Sequence, residues 1–285
     1  MIRKMWKPLV LFIAVTANFF PNLVQANDTI YSNQVTVLVY HHIDDEQQSA
    51  VTISTKLFSD QLRALKRKGY EFITMDQFKR FMSKGASVPD NAVLVTFDDG
   101  YRSFYTNAYP VLKRMDIPAV NFVITKDLDD PLHSNIPSLS NEEIMQMRRE
   151  DPDIEFQAHS DSLHAMKDGK PMLTNKWMAG DRIETDAEFE QRVLDDTKKC
   201  LRKLSDLKGA KAVDAYAYPF GSYDTKTMDL LKQAGIQYSF TTKTGMADRH
   251  TDPMQIPRIN AGSPYVRAHS VNNLIRHQVE LEGIN

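Results

Sequence analysis

Two carboxylates, Asp98 and Asp99, close the apolar run Val93-Leu94-Val95-Thr96-Phe97 and are followed at once by Gly100. Ionised carboxylates so close repel each other, so a fold that keeps both at a strand end gives one a cation and leaves the other free. Two imidazoles, His159 and His164, stand five residues apart in His159-Ser160-Asp161-Ser162-Leu163-His164. That spacing is awkward on one face of a regular helix and easy in a loop that folds back. Two neutral histidines and one carboxylate form a donor set for a divalent ion such as zinc, with one position open for water or substrate. A histidine pair in a loop is more often merely solvated or hydrogen-bonded. The metal reading gains weight because each stretch ends an apolar run, and parallel βα folds gather strand ends at one rim.

The elements that must position these residues alternate along the chain. Valine-rich 35–40 is nearly continuously apolar, as expected of a parallel strand covered on both faces. Ser54 or Thr55 can cap a helix carrying Phe58, Leu62 and Leu65, ended by Gly69. A short strand at 71–73 precedes a helix capped by Thr74 with Phe78, Phe81 and Met82 inward. The strand 92–97 delivers the carboxylates; 101–115 is a helix interrupted by Pro110, and 119–124 another buried strand. Pro131 and Pro137 mark 126–139 as a loop before a helix capped by Ser140. The strand 154–158 runs straight into His159, and 165–185 shows no clear periodicity, as in a functional cover or a mobile insertion. A long helix at 188–207, a strand at 212–218, a helix at 225–234 ended by Gly235, strands at 236–241 and 256–259, and a helix at 270–281 complete the pattern. With no internal repeat and no linker, this predicts an α/β fold in one βα domain.

Composition bounds what this domain does. The chain has 285 residues, 42% hydrophobic and 25% charged, enough for a full core and unlike a disordered sequence. A formal charge of −2, with no basic run interleaved with aromatics, gives no general pull toward nucleic acid. Residues 1–26 read as a cleaved export signal: Arg3, Lys4 and Lys7 precede an apolar run over 9–20, and Val24-Gln25-Ala26 offers small residues where a signal peptidase reads. The alternative, an uncleaved anchor, is disfavoured because the run is shorter than the roughly 20 residues a spanning helix needs. No other stretch is apolar and long enough to cross a membrane. The single cysteine, Cys200, shares a helical face with Phe189, Val193, Leu204 and Leu207 and reads as a small core residue rather than a catalytic thiol.

Thr96-Phe97-Asp98-Asp99-Gly100 resembles the first signature of the NodB-homology polysaccharide deacetylases (carbohydrate esterase family 4), and the stretch from His159 to His164 resembles their second. The five-residue histidine spacing, Tyr40-His41-His42 and Ala217-Tyr218-Pro219-Phe220-Gly221 are similar to the PgaB/IcaB-type branch, whose members deacetylate poly-β-1,6-N-acetylglucosamine of biofilm matrix. The resemblance implies a single distorted (β/α) barrel over residues 27–285, with Asp99, His159 and His164 as metal ligands and Asp98 as general base. It implies a divalent metal ion, zinc first, with nickel, cobalt or ferrous iron as alternatives. An acetamide carbonyl polarised at the metal, a proton taken by Asp98, and a backbone N–H near Phe220 facing the oxyanion, with Tyr218 beside it, make a consistent hydrolysis.

The sequence departs from the wider family twice. The Leu-x-His signature that supplies the general acid is not found near the C-terminus; the branch uses an N-terminal histidine instead, which matches His41, with His42 as the fallback. Ala217 stands where many relatives carry an arginine that orients the catalytic Asp, and Arg258 in Ile256-Pro257-Arg258-Ile259 could supply that charge, or be an ordinary surface arginine.

The expected function is that of an exported, metal-dependent N-deacetylase acting on an N-acetylated glycan in the periplasm, at the cell surface or outside the cell. Chitin oligomers or peptidoglycan are alternative substrates, and a non-catalytic glycan-binding protein on the same fold is the alternative of another class. Trp177 could stack on a sugar face or anchor its own loop. No stable membrane span remains after signal cleavage, and the sequence is silent on oligomeric state.

Overall fold

The computed structural model describes residues 28–47, 49–207, 209–281 and 283, so the export signal expected over 1–26 lies outside the described residues. Among these, eight strands form one parallel sheet: β1 (Val35–Tyr40), β2 (Glu71–Phe72), β3 (Ala92–Phe97), β4 (Ala119–Val123), β5 (Ile154–Ala158), β6 (Ala215–Ala217), β7 (Tyr238–Phe240) and β8 (Ile259–Asn260). Their spatial order is β7-β6-β5-β4-β3-β1-β8, with β2 also on β3. The register pairs Tyr40 with Phe97, Thr96 with Val120 and Val123 with Ala158, so β1, β3, β4 and β5 finish near one rim. The two ends of the sheet approach through a parallel bridge between Phe240 and Ile256, just before β8. This is the curled, nearly closed parallel barrel that the family resemblance implies, built from the βα alternation read in the sequence.

The helices begin and end for local reasons. Ser54, not Thr55, caps α1 (Thr55–Arg67) by accepting from Leu57 N. Capping boxes open α2 (Met75–Lys84) at Thr74 and Gln77, and Gly85 ends it in the left-handed region. The run after β3 is a turn of π-helix followed by α3 (Tyr109–Met115), with Pro110 tolerated in its first turn. A capping box of Ser140 and Glu143 opens α4 (Asn141–Glu150), and one of Thr185 and Glu188 opens α5 (Asp186–Asp206). Asp224 caps α6 (Thr225–Ala234), and α7 (Ser270–Leu281) comes last.

The continuous apolar strands are buried on both faces, as their composition requires. One face, with Phe97, Phe156 and Tyr216, packs under the outer helices and against Phe104 of the π-helical turn. The barrel interior holds Val35, Val37, Leu94, Phe122 and Phe240 together with Phe78 and Phe81 of α2. Cys200 is fully buried, and burial pushes its thiol up to about 12, consistent with a core residue.

The segment 165–185 differs from the irregular stretch its sequence suggests. It contains two short antiparallel hairpins, Met166–Lys167 with Lys170–Pro171 and Met178–Ala179 with Arg182–Ile183. Arg192 of α5 pins it from beneath, donating to the carbonyls of Met172 (2.9 Å) and Asn175 (2.8 Å) and pairing with Glu184. Two-residue strands are too short to show a period of two, which is why the pattern did not reveal them. Trp177 is buried, and its indole N–H donates to the Met172 carbonyl at 3.4 Å, so it anchors the segment.

Candidate active site

Asp98 and Asp99 leave the end of β3 in different directions because the backbone turns between them. Asp98 N donates to Tyr40 O at 3.0 Å, continuing the pairing with β1 and keeping this carboxylate at the barrel interior. Asp99 then adopts φ 76° and Gly100 φ 72°. A Cβ on Gly100 would lie 2.9 Å from Val123 Cγ1, so the turn needs glycine for space as well as for conformation. Ser160 (φ 85°) and Phe220 (φ 57°) are also non-glycine residues in the left-handed region. Such strained positions persist where surrounding structure holds them, and these three lie at one rim.

Asp98 is held by Arg258. The guanidinium donates through Nη1 to Asp98 Oδ1 and through Nη2 to Oδ2, both at 2.7 Å, while Nε donates to Thr241 O at 2.9 Å. Arg258 is 1% exposed and Asp98 4%, so the pair is shielded from water. Burial by itself raises the Asp98 pKa, and the Arg258 charge and hydrogen bonds outweigh it, holding the carboxyl below its ordinary range. Ala217 offers no cation, but its carbonyl accepts a hydrogen bond from His159 Nδ1 at 2.7 Å.

That bond sets the tautomer of His159 and leaves Nε2 facing the cavity with its lone pair. His159 Nε2 and His164 Nε2 each lie 3.3 Å from Asp99 Oδ1, a buried oxygen that makes no hydrogen bond. The three ligand atoms lie within 4.8 Å of one another. A buried carboxylate oxygen without a donor, between two convergent imidazole nitrogens, is the arrangement a divalent cation completes; these residues fit one. Burial opposes ionisation of Asp99, but the neighbouring His159, with the charges of His41 and His164, keeps it ionised. Burial, then the neighbouring His159, lowers His164 to about 4, so its imidazole is neutral at ordinary pH. Burial also disfavours charge on His159, but Asp99 and Asp98 outweigh it and raise the imidazole.

These groups surround an open cavity of about 210 Å³, lined among others by His41, Tyr218, Phe220 and Thr242. His41 Nε2 lies 3.9 Å from Asp98 Oδ2. His42 points elsewhere: its ring meets Tyr101 edge-on, with centroids 5.2 Å apart, and Nδ1 lies 3.4 Å from Thr52 Oγ1. Phe220 lies over His164 with ring centroids 4.3 Å apart. Tyr218 is buried, and its hydroxyl donates to Met254 O at 3.0 Å, so its ring builds the wall. A larger groove of about 470 Å³ near the start of β5 and β6 holds the ion pairs Lys79–Asp214 and Lys211–Glu155 and none of these donor groups.

Sequence reasoning missed several participants. Val51 reaches the cavity because Thr52–Ile53 pairs in parallel with His42–Ile43. Thr242 sits under the Tyr218–Gly221 turn, where a Cβ on Gly221 would lie 2.0 Å from its Oγ1. The Tyr101 hydroxyl is pushed up by burial, then by the charge of the nearby Asp99. Only Tyr101 had a local signal, two positions after Asp99.

A family model described as polysaccharide deacetylase matches residues 85–239, more than half of the chain. The chain belongs to the polysaccharide deacetylase family. Within that family it is similar to a poly-β-1,6-N-acetyl-D-glucosamine N-deacetylase of Staphylococcus epidermidis, 31% identical over 73% of this chain and 67% of the relative. A protein of the same name from Staphylococcus aureus is 26% identical over 80% of this chain and 74% of the relative. Among solved structures, IcaB from Ammonifex degensii superposes with a TM-score of 0.71 at 26% identity, covering 86% of this chain and 98% of that one. This polysaccharide deacetylase is thus a hydrolase of the N-deacetylase type on a (β/α) barrel, as the two signatures anticipate. No helix among the described residues is long and apolar enough to cross a membrane.

Proposed function

We propose that this polysaccharide deacetylase, working as an exported domain over residues 27–285, removes acetyl groups from poly-β-1,6-N-acetylglucosamine of biofilm matrix. The observation that carries the reading is a buried Asp98 clamped by Arg258 beside the convergent Asp99, His159 and His164, all at one open cavity. The names of the staphylococcal relatives support the choice of polymer. A divalent ion such as zinc, held by Asp99, His159 and His164, would supply Lewis-acid polarisation of the acetamide carbonyl.

The remaining work falls to the chain itself. Asp98, kept ionised and oriented by Arg258, takes a proton from the attacking water as its oxygen bonds to the carbonyl carbon. The N–H of Phe220 is the donor toward the oxyanion, because Tyr218 N already donates to Phe240 O, Gly221 N donates to Tyr218 O, and Pro219 has none. His41, 3.9 Å from Asp98, delivers a proton to the nitrogen as the C–N bond breaks, giving acetate and a free amine. Tyr218 and Phe220 shape the wall that the sugar meets.

The test is acetate release by zinc-loaded protein from β-1,6-linked N-acetylglucosamine oligomers, chitin oligomers and peptidoglycan. Release from the β-1,6 oligomers above the others is expected, and Asp98→Asn should abolish turnover while zinc still binds. Release from chitin or peptidoglycan alone would reassign the polymer, and no release from any of them would overturn the enzymatic reading.

A further inference from the structure

The two histidines at the cavity depend on a turn that does not hold itself. His159 is fixed at the end of β5, its N–H donating to Val123 O at 3.0 Å and its ring to Ala217 O. His164 has to return to within 3.3 Å of the same Asp99 oxygen through four intervening residues, the first of which, Ser160, has φ 85°. A non-glycine residue in that region costs on the order of 1–3 kcal/mol and persists only where neighbours impose it.

Those neighbours come from α5 and from the chain after β4. Asp196, 9% exposed, accepts from Asp161 N at 3.0 Å (Oδ2) and from Ser162 N at 2.6 Å (Oδ1), so one carboxylate engages two successive amides of the turn. The Asp161 carboxylate is bound by Lys199 Nζ at 2.7 Å, Lys203 Nζ at 3.2 Å, Thr125 Oγ1 at 2.9 Å and Ser162 Oγ at 2.8 Å. From the opposite side Thr125 N donates to Ser160 O and Lys126 N to Asp161 O. Positions 196, 199 and 203 share one face of a helix, and here they form one bracket. Both lysines bind Asp161, and Lys203 also pairs with Asp129 at 2.6 Å, which ties the bracket to the chain after β4. Asp196 also interrupts the buried stripe of Phe189, Val193, Cys200 and Leu204. An acidic residue at that place has the turn as its partner.

We propose that Asp196 is a positioning residue: its carboxylate sets the turn between His159 and His164 and so presents both imidazoles to the divalent ion. The inference rests on the metal reading of Asp99, His159 and His164, and it makes α5 part of the site although no atom of Asp196 reaches the cavity. Partners that orient ligands from behind are worth on the order of 10- to 100-fold in metal affinity.

The experiment uses the full mature chain with zinc alone as the probe, titrated against a competing chelator, and amide hydrogen exchange on the metal-free protein. Asp196→Ala should weaken zinc about 10- to 100-fold and accelerate exchange at Asp161 and Ser162. Asp196→Asn, which keeps one carbonyl acceptor and the volume, should fall between. Asp195→Ala, at an exposed neighbouring position, is the control and should match the wild type. Wild-type zinc affinity together with wild-type exchange in both Asp196 variants would overturn the proposal. Faster exchange in a protein whose wild type binds no zinc would instead remove the metal reading and leave Asp196 as the residue that sets the turn. If Asp196→Ala does not fold, Asp196→Asn carries the comparison.

Discussion

Removing the arginine behind Asp98 is the sharpest perturbation of this site. In Arg258→Met the apolar stem is retained and the guanidinium is lost, leaving a carboxylate 4% exposed with no cation against it. Stripping one partner from a buried ion pair costs about 3–5 kcal/mol. The Thr241 carbonyl also loses its 2.9 Å donor. For a domain of this size that is a fall in melting temperature on the order of 10 °C. Asp98 can escape the penalty only by taking up a proton, since Arg258 is what offsets the upward pull of burial on its pKa. A protonated Asp98 is no base, and the loss of a positioned base costs roughly 100- to 10,000-fold in rate. Arg258→Lys keeps the charge without the two-pronged geometry and should lie between. The assay pairs urea unfolding of the metal-free protein with acetate release, each measured for Asp98→Asn, Arg258→Met and the double variant. The double variant should recover most of the stability lost in Arg258→Met, because the stranded charge is gone. A cost under about 1 kcal/mol for Arg258→Met, when ~3–5 kcal/mol is expected, or strict additivity in the cycle, would refute the reasoning.

Three further outcomes are expected. His41→Ala should slow acetate release on the order of 100-fold or more, whereas His42→Ala should stay near the wild-type rate because its ring faces Tyr101 and Thr52; equal loss in both variants would count against His41. Gly221→Ala places a Cβ 2.0 Å from Thr242 Oγ1 and should destabilise the Tyr218–Gly221 turn by about 1–3 kcal/mol with loss of turnover, and Thr242→Gly in the same chain should restore part of both, as read by melting temperature and acetate release. Burial holds the His42 imidazole below its ordinary 6.5 against the pull of Asp44. The unfolded chain therefore takes up a proton that the folded chain refuses, and stability falls as pH drops below 6.5; urea midpoints on either side of that pH should show a slope that His42→Phe reduces.

The sequence by itself determined what depends on neighbours along the chain. Apolar runs ending in Asp98-Asp99-Gly100 and in His159 located strands and their charged ends, because strand burial is written in contiguous residue types. Caps such as Thr74 and Ser140 act within a single turn, and the glycines after α1 and α6 stand where the helices end. The tertiary structure alone decided which distant groups meet. Arg258 lies 160 positions from Asp98 and reaches it because the chain before β8 returns beside β7 and β1, closing the barrel; no local pattern separates it from a surface arginine. His41 lines the cavity while the His42 ring meets Tyr101, a difference set by one residue in the path of the chain beyond β1. Val51, Thr242 and Asp196 carry no signature of their own, since their significance is the surface they meet and that surface exists only once the sheet has curled.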